Sequence, residues 1–354
     1  MKIALLVPAN IYFCPYINIY INILQEKNLL YDVIYWDKDE LNEQASYVFR
    51  KPVSARTNKL KKIWYYLKYN VFLKSIIKEN NYSKIIIFGP QIGIFLYSFL
   101  RKHYRNSFIF DYRDLSIEQY FKRTFNNILS ISSLNIISSP GFKKCLPERY
   151  KYIISHNCNI QDIELALQNQ KNIFNGKESS KLTILTIGAI RDYEQNIEII
   201  NSLRDNKNFE LYFVGKGPAS DRIQEYVINN NIQNVRIIGF YTKNQEADYI
   251  LMADFLNVYY PRKLSHDTAL SNRFYNSIIY GVPMITTKDT TQGNYVDEYG
   301  LGIAIKDTHN LSNTLLDYFN NFDQVKYNNS RKALLKIIRE DYYTFRTEIL
   351  KALF

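Results

Sequence analysis

The sequence predicts an α/β protein made of two doubly wound parallel-sheet domains, and three observations carry that prediction. Apolar runs of strand length alternate with helix-length segments along the chain, the rhythm of sheets covered on both faces. The length of 354 residues exceeds the size at which a single core stops growing, so two domains of about 150 to 180 residues each are expected. One long polar stretch, residues 160–181, rich in Gln, Asn, Lys and Ser, separates two series of elements and marks the linker region. The expected divisions are 1–165, 166–330 and a closing segment, 331–354, packing back on the first domain.

In the first series, strands are expected at 2–7, 32–36, 84–88, 107–111, 134–138 and 151–155, with helices at 16–28, 60–80 and 91–104 between them. The opening MKIALLVPAN reads as the first strand rather than a signal peptide, because its short apolar run is interrupted by Pro8 and no small-residue cleavage site follows. The longest apolar run, IIIFGPQIGIFLYSFL at 85–100, falls short of the roughly 20 residues a membrane span needs. Gly89-Pro90 divides it into a buried strand and a helix. In the second series, strands are expected at 182–188, 209–214, 234–238, 255–259, 283–286 and 302–305. Helices fit at 195–205, 219–231, 244–252 and 271–280, and residues 309–322 and 330–353 close the chain.

The hydrophobic fraction of 46% excludes disorder. Cys14, Cys145 and Cys158 lie far apart and lack the short spacings of metal ligands or a disulfide framework, which fits a reduced, cytosolic compartment. The net charge of +11 is unevenly placed: residues 1–171 carry 24 Lys/Arg against 13 Asp/Glu, and residues 172–354 carry 21 of each. Residues 44–78 hold nine cations, including Arg56, Lys61, Lys62 and Lys68, and no acid. These alternate with Trp64, Tyr65, Tyr66, Tyr69, Phe72 and Leu73. A helix here suits an anionic membrane surface, and equally suits a solvated helix packing its apolar face on the sheet. The balanced second half and the lack of any nucleic-acid module argue against nucleic-acid binding.

Two segments carry the chemistry. In LYFVGKGP (211–218), Gly215 and Gly217 permit a tight turn and Lys216 sets a cation beside any phosphate held there. In TALSNRFYNSIIYGVPMITT (268–287), Ser271 is placed to cap a helix whose free amides, with Asn272 and Arg273, suit an anionic oxygen. Gly281-Val282-Pro283 then ends that helix and leads into the next strand. Each segment joins an apolar strand to a helix, the setting of a nucleotide pocket at the carboxyl edge of a parallel sheet. In the first half, Asp111, Arg113 and Asp114 fall where the strand FIF ends. A carboxylate there can serve as general base with Arg113 orienting it, or form a strand-end ion pair, with Ser116 and Gln119 as a capping box. His156 before the linker reads either as a site residue or as a hydrogen-bonded structural histidine.

The order GAIRDYEQN, LYFVGKGP, NVRIIGFY and LSNRFYNSIIYGVPMI resembles the C-terminal half of GT-B glycosyltransferases of the family 4-like group, particularly bacterial capsule and O-antigen enzymes. The likeness covers roughly residues 181–305. The first half resembles their N-terminal domains more loosely, through FDYRDLSIE, ISSPGFKKCLP and HNCNI. The resemblance implies two Rossmann-like domains facing a central cleft, the first binding the acceptor and the second a nucleotide-sugar donor, with a UDP-sugar as the default. It implies donor contacts from Gly188, Arg191, Gly215, Lys216, Gly217, Asn272, Arg273 and Asn276. Catalytic roles fall to Arg191, Asp111 and Asp114, and acceptor-side roles to Arg113 and His156. No metal ion and no cofactor is expected, and the implied place is the cytoplasmic face of the plasma membrane, beside a saccharide or lipid-linked saccharide acceptor.

The sequence departs from the family's pattern. Its two glutamates, with seven residues between them before the GxP turn, are replaced by Thr268 and Asn276, and the expected lysine of its Arg-Lys pair falls near Glu194. Asn276 keeps hydrogen-bonding capacity for a ribose hydroxyl without charge, whereas Thr268 cannot replace a carboxylate. Two alternatives share the architecture: a nucleotide-sugar epimerase and a degenerate, non-catalytic partner subunit. Asp37-Lys38-Asp39 mimics the metal-binding DxD of the other large glycosyltransferase fold, yet lies in a run of acids that reads as a surface loop.

Overall fold

A computed structural model describes residues 1–54, 57–169, 174 and 181–354. They form two compact units, residues 1–159 with 340–354, and residues 160–339.

The first unit contains β1 (Lys2–Val7), α1 (Ile17–Glu26), β2 (Leu30–Asp37), β3 (Tyr47–Arg50), α2 (Lys59–Asn80), β4 (Lys84–Phe88), α3 (Pro90–His103), β5 (Phe108–Tyr112), α4 (Lys122–Ile131), β6 (Leu134–Ile137) and β7 (Ile153–Ile154). All its strands pair in parallel, in the order β3-β2-β1-β4-β5-β6-β7. Residues 3–7 of β1 are completely buried, as expected of a central strand covered on both faces. Ile3, Leu5 and Val7 share one core cluster with Tyr20, Ile23 and Leu24 of α1 and with Phe345, Ile349 and Leu353 near the chain's end. At Gly89-Pro90 the chain turns from strand to helix as the sequence predicts: Gly89 takes φ 85° as the helix cap, and Pro90 opens α3.

The second unit contains α5 (Ile160–Gln168), β8 (Leu182–Ile187), α6 (Tyr193–Leu203), β9 (Phe209–Val214), α7 (Ser220–Asn229), β10 (Val235–Gly239), α8 (Glu246–Leu251), β11 (Phe255–Val258), α9 (Leu264–Thr268), α10 (Asn272–Tyr280), β12 (Met284–Thr287), α11 (Thr291–Tyr299), β13 (Gly302–Ile305) and α12 (Leu311–Asn320). A last helix, α13 (Gln324–Leu353), starts here and ends in the first unit. The six strands are parallel in the order β10-β9-β8-β11-β12-β13. Chain direction across the sheet therefore reverses between β8 and β11, and the crevice beyond their carboxyl ends is where such sheets take ligands. On one face Ile199, Ile200 and Leu203 of α6, Ile223 and Val227 of α7, and Leu311 and Leu315 of α12 form the core with β8, β9 and β11.

Four elements escape the sequence reading. The short edge strand β3 and helices α4 and α9 are absent from it, and α11 is hidden because TQGNYVDEY lacks an apolar stripe. The polar stretch that marks the linker region starts with a helix: α5 buries Ile163 and Ala166, spaced to lie on one face. Most of the remaining linker, and Arg56, lie outside the described residues.

The aromatic and basic segment forms α2, capped at Asn58, whose side chain accepts from the Leu60 N–H at 3.0 Å. Tyr69, Leu73, Ile76 and Ile77 are buried. Leu60, Ile63, Trp64, Leu67 and Val71, on the opposite side of the helix, are exposed. The Lys68 ammonium lies 3.6 Å from the Trp64 ring centroid, beside that outer stripe. Among the described residues no helix is long and apolar enough to cross a membrane.

Candidate functional site

At the carboxyl edge of the second sheet, the loops after β8 and β9 lie directly against each other. Gly188 takes φ 94° and Gly215 takes φ 125°, both left-handed backbone that favours glycine. A Cβ on Gly215 would lie 2.1 Å from the Gly188 carbonyl oxygen, and one on Gly217 would lie 2.2 Å from that of Ile190. The two glycines are thus required for close backbone approach, a reason the sequence motif alone does not contain. Gly217 N–H donates to Ser220 Oγ at 2.8 Å, and Gly215 N–H to the Gly239 carbonyl at 2.6 Å, so that three successive loops are fixed together.

Cations collect on this edge. Arg191 and Lys216 are exposed, and no polar partner holds either side chain among the described residues. The loop after β11 adds Arg262 and Lys263, which the sequence reading overlooks although PRK follows the strand after only two tyrosines. Lys263 Nζ lies 3.9 Å from Asp192 Oδ1, bringing the β11 and β8 loops side by side. Arg262 forms a two-pronged pair with Asp267 at 2.9 and 3.2 Å, and those hydrogen bonds raise its pKa.

Helix α10 starts as expected: Ser271 Oγ accepts from the Phe274 N–H at 3.3 Å, and Gly281 closes the helix at φ 72°. Gln292, which the sequence reading also misses, is buried and accepts from both the Ser271 N–H and hydroxyl, at 3.0 and 2.7 Å. The free-cation role expected of Arg273 requires correction. Its guanidinium is buried and donates to the carbonyls of Ile187 (2.6 Å), Asn257 (3.1 Å) and Ala189 (3.2 Å). Arg273 therefore clamps the ends of β8 and β11 from behind the Gly188 loop. Asn272 is exposed at the first turn of α10 and Asn276 half-buried at mid-helix. Thr268 is buried, its hydroxyl bonded to the Leu264 carbonyl at 2.7 Å.

A polar network lies under the crossover, again beyond what the sequence reading finds. Asn257 Nδ2 donates to Thr186 Oγ1 at 2.9 Å, while its Oδ1 accepts from the Tyr259 N–H at 3.1 Å. Burial, and then the neighbouring Glu198, push the Tyr259 phenol up to about 12, so it remains a neutral donor to that carboxylate.

In the first unit, the ion-pair reading of the β5 end describes the geometry. Asp111 is fully buried, receives Arg113 Nε and Nη2 at 2.8 Å each, and accepts from the Tyr20 hydroxyl at 2.5 Å. Arg113 also donates to the Ser155 carbonyl and hydroxyl at 3.0 and 2.8 Å and sits over the Tyr16 ring. Burial acts to lower the Arg113 pKa, but the adjacent Asp111 carboxylate more than reverses this. A carboxylate so enclosed is not poised to accept an acceptor's proton, which corrects the general-base expectation for Asp111 and the acceptor-side expectation for Arg113. Asp114 is exposed at the same strand end. The expected capping box is also absent: Ser116 makes no side-chain cap, and Glu118 accepts from its N–H instead, at 2.8 and 2.9 Å. His156 is buried with Nε2 2.9 Å from Asp341 Oδ2, holding α13 to this unit, the arrangement of a structural histidine.

Asp37 is not part of a surface loop. It ends β2 almost fully buried, with Oδ1 accepting from Asn10 Nδ2 at 2.6 Å and Leu41 N–H at 3.1 Å, and Oδ2 from Asn42 N–H at 3.2 Å. No group of three His, Cys, Asp or Glu side chains able to hold a metal ion occurs among the described residues.

Two doubly wound parallel sheets, with a final helix that leaves the second unit and ends in the first, define the GT-B fold. Solved structures of that fold match nearly the whole chain. Sucrose-phosphate synthase from Thermosynechococcus elongatus is 15% identical with a TM-score of 0.69, over 99% of this chain and all of the other. HepE from Anabaena in complex with UDP is 14% identical with a TM-score of 0.67, over 100% and 99%. The lipopolysaccharide outer core galactosyltransferase WaaB is 12% identical with a TM-score of 0.68, over 99% of each chain. No protein-family profile and no curated protein sequence matches the chain.

Proposed function

We propose that this chain is a glycosyltransferase that moves a sugar from a nucleotide-sugar, a UDP-sugar by preference, to a saccharide acceptor. The observation that carries this reading is the contact of the Gly188 and Gly215 loops at the sheet crossover, flanked by the exposed cations Arg191 and Lys216. Close-packed glycine backbone lets amides approach a diphosphate, and cations there offset the charge that grows on a nucleoside diphosphate as the sugar leaves. The acceptor hydroxyl forms the new bond to the anomeric carbon while the sugar–phosphate bond breaks, and the hydroxyl's proton leaves to a base. Asp114 is our candidate for that base. Arg273 and the buried Asp111–Arg113 pair are positioning groups in this scheme. No metal or cofactor is required by it. The UDP complex of HepE and the galactosyltransferase WaaB support the donor and reaction class.

Calorimetry with UDP, followed by donor hydrolysis across UDP-, GDP- and dTDP-sugars, tests the reading. Submillimolar UDP binding, weakened about tenfold in Arg191→Ala and in Lys216→Ala, is expected. An unaltered affinity in both variants would remove this edge as the donor site. A second reading, a nucleotide-sugar epimerase, is supported by the likeness to UDP-GlcNAc 2-epimerase from Methanocaldococcus jannaschii, 12% identical with a TM-score of 0.56. Conversion of a UDP-sugar with no acceptor present would favour it.

The acceptor in our proposal is lipid-linked, in bacterial surface polysaccharide synthesis of the capsule or O-antigen kind, with the enzyme peripheral on the cytoplasmic membrane face. The support is the outer stripe of α2, where exposed apolar side chains lie beside lysines. The chain is expected to sediment with phosphatidylglycerol vesicles and not with phosphatidylcholine vesicles. Lys61→Glu with Lys68→Glu should abolish this, and equal binding to both vesicle types would overturn the membrane assignment.

A further inference from the structure

In the first sheet the chain direction reverses between β1 and β4, and such sheets take ligands in the crevice beyond the carboxyl ends at that point. The turn that leaves β1, Ile11–Phe13, presents two aromatic rings there: Tyr12 is 71% exposed, and Phe13 is exposed beside it. The backbone beneath them is fixed. Glu43 accepts from the Ile11 and Tyr12 N–H groups at 2.8 and 2.6 Å, and the buried Asn10 just before them is bonded to Asp37. The turn after β5, Ile117–Tyr120, is built alike, with Tyr120 77% exposed and Phe121 exposed next to it. Here the buried Glu118 accepts from the Ser116 N–H and, at 2.9 Å, from the Tyr112 hydroxyl. Strands β1 and β5 stand two places apart in the sheet, about 10 Å. Tyr16, just beyond the first turn, lies over the Arg113 guanidinium at the end of β5, which ties the two sides together.

Exposed hydrophobic residues scattered singly are ordinary. Four rings on two anchored turns of one sheet edge form a local surface that water disfavours, and their chemical setting narrows what covers it. The exposed charges beside them have both signs, Asp39, Glu40 and Asp114 against Lys122 and Arg123, so neither an anion nor a cation is preferred. A hydrocarbon would strip water from those charges without replacing its hydrogen bonds. A neutral sugar suits the edge, because its C–H face rests on an aromatic ring while its hydroxyls bond to carboxylates and phenols.

We infer that Tyr12 and Tyr120 bind a neutral pyranose of the acceptor by stacking, and so present its hydroxyl to Asp114 at the end of β5. The two tyrosines then select the acceptor, while the glycine loops of the second unit select the donor. This rests on the glycosyltransferase reading for the role of Asp114, whereas the sugar contact stands on the two turns themselves.

Saturation-transfer NMR on the full chain tests it, with the methyl glycosides of glucose, galactose, mannose and N-acetylglucosamine, beside UDP calorimetry on the same samples. Transfer from the protein to the ring C–H protons of at least one sugar is expected. Its affinity should fall at least about fivefold in Tyr12→Ala and in Tyr120→Ala, and stay within about twofold in Tyr12→Phe and Tyr120→Phe, which keep the stacking ring. The unfolding midpoint and the UDP affinity should be the same in all four variants, since both positions are exposed and lie in the first unit. No transfer to any of the four sugars, or an unaltered affinity in both alanine variants, would overturn the inference even where UDP binds. Sugar binding lost in the alanine variants and kept in the phenylalanine ones, with no UDP binding, would uphold the contact and remove the glycosyltransferase reading instead.

Discussion

Arg273 Nε donates to the Ile187 carbonyl at 2.6 Å, fastening the first turn of α10 to the end of β8. With its bonds to the Asn257 and Ala189 carbonyls, the guanidinium fixes the backbone on both sides of the crossover. A fork of donors suits this task and a lysine's point charge does not.

Arg273→Lys should therefore act on stability first. Carbonyls left unpaired in a buried site cost about 1 to 3 kcal/mol each before relaxation, so a net loss of about 3 kcal/mol is expected in urea unfolding. Arg191→Ala, at an exposed position, should leave the midpoint within about 0.5 kcal/mol and weaken UDP about tenfold. The reverse pattern would exchange the roles of the two arginines.

Gly215→Ala should be unfavourable on two counts, its φ of 125° and a Cβ 2.1 Å from the Gly188 oxygen. Strain of at least about 1 to 3 kcal/mol is expected, with loss of UDP binding as the two loops part. Thermal unfolding and calorimetry on the same variant check both effects.

The Asp111–Arg113 pair predicts a sharp asymmetry. Arg113→Met leaves the Asp111 carboxylate buried without its partner and should cost about 3 to 5 kcal/mol. Replacing both residues by apolar ones of similar volume should cost much less, which a double-mutant cycle in urea would reveal.

Asp37 should make stability depend on acid. Burial acts to raise its pKa, but the Asn10 amide and the N–H groups of Asn42 and Leu41 outweigh this and hold the carboxyl below its ordinary value. Its contribution is thus fully present above the unfolded-state pKa of about 3.9 and is lost as pH falls through the lower folded-state value. Urea midpoints measured from pH 5 to 3 should fall more steeply for the wild type than for Asp37→Asn.

Much of the fold was legible because buried parallel strands are continuous apolar runs, and β1 and β4, after their first lysine, are such runs. Ser271 and Gly281 announced the limits of α10 because caps act within a few residues. The polar helix α11 gave no periodic signal, since the sheet beside it supplies most of its apolar surroundings. At the candidate site, Gly215, Lys216 and Gly217 were readable from spacing, whereas Gln292, Asn257 and Lys263 come from other segments and join only through folding. Asp37 looked solvated among its acidic neighbours, and Asn10, 27 residues earlier, is what allows its burial.

By itself the sequence determined two doubly wound units, the glycine turn after β9 and the capped helix that follows Ser271. These depend on local backbone preference and on the burial pattern of neighbouring residues. Only the tertiary structure decided which cations remain free. Arg191 and Lys216 face solvent, while Arg273 and Arg113 are held by carbonyls and a carboxylate. The same residue type can bind a phosphate or clamp a loop, and the choice is made by which acceptors the fold brings within about 3 Å of its donors.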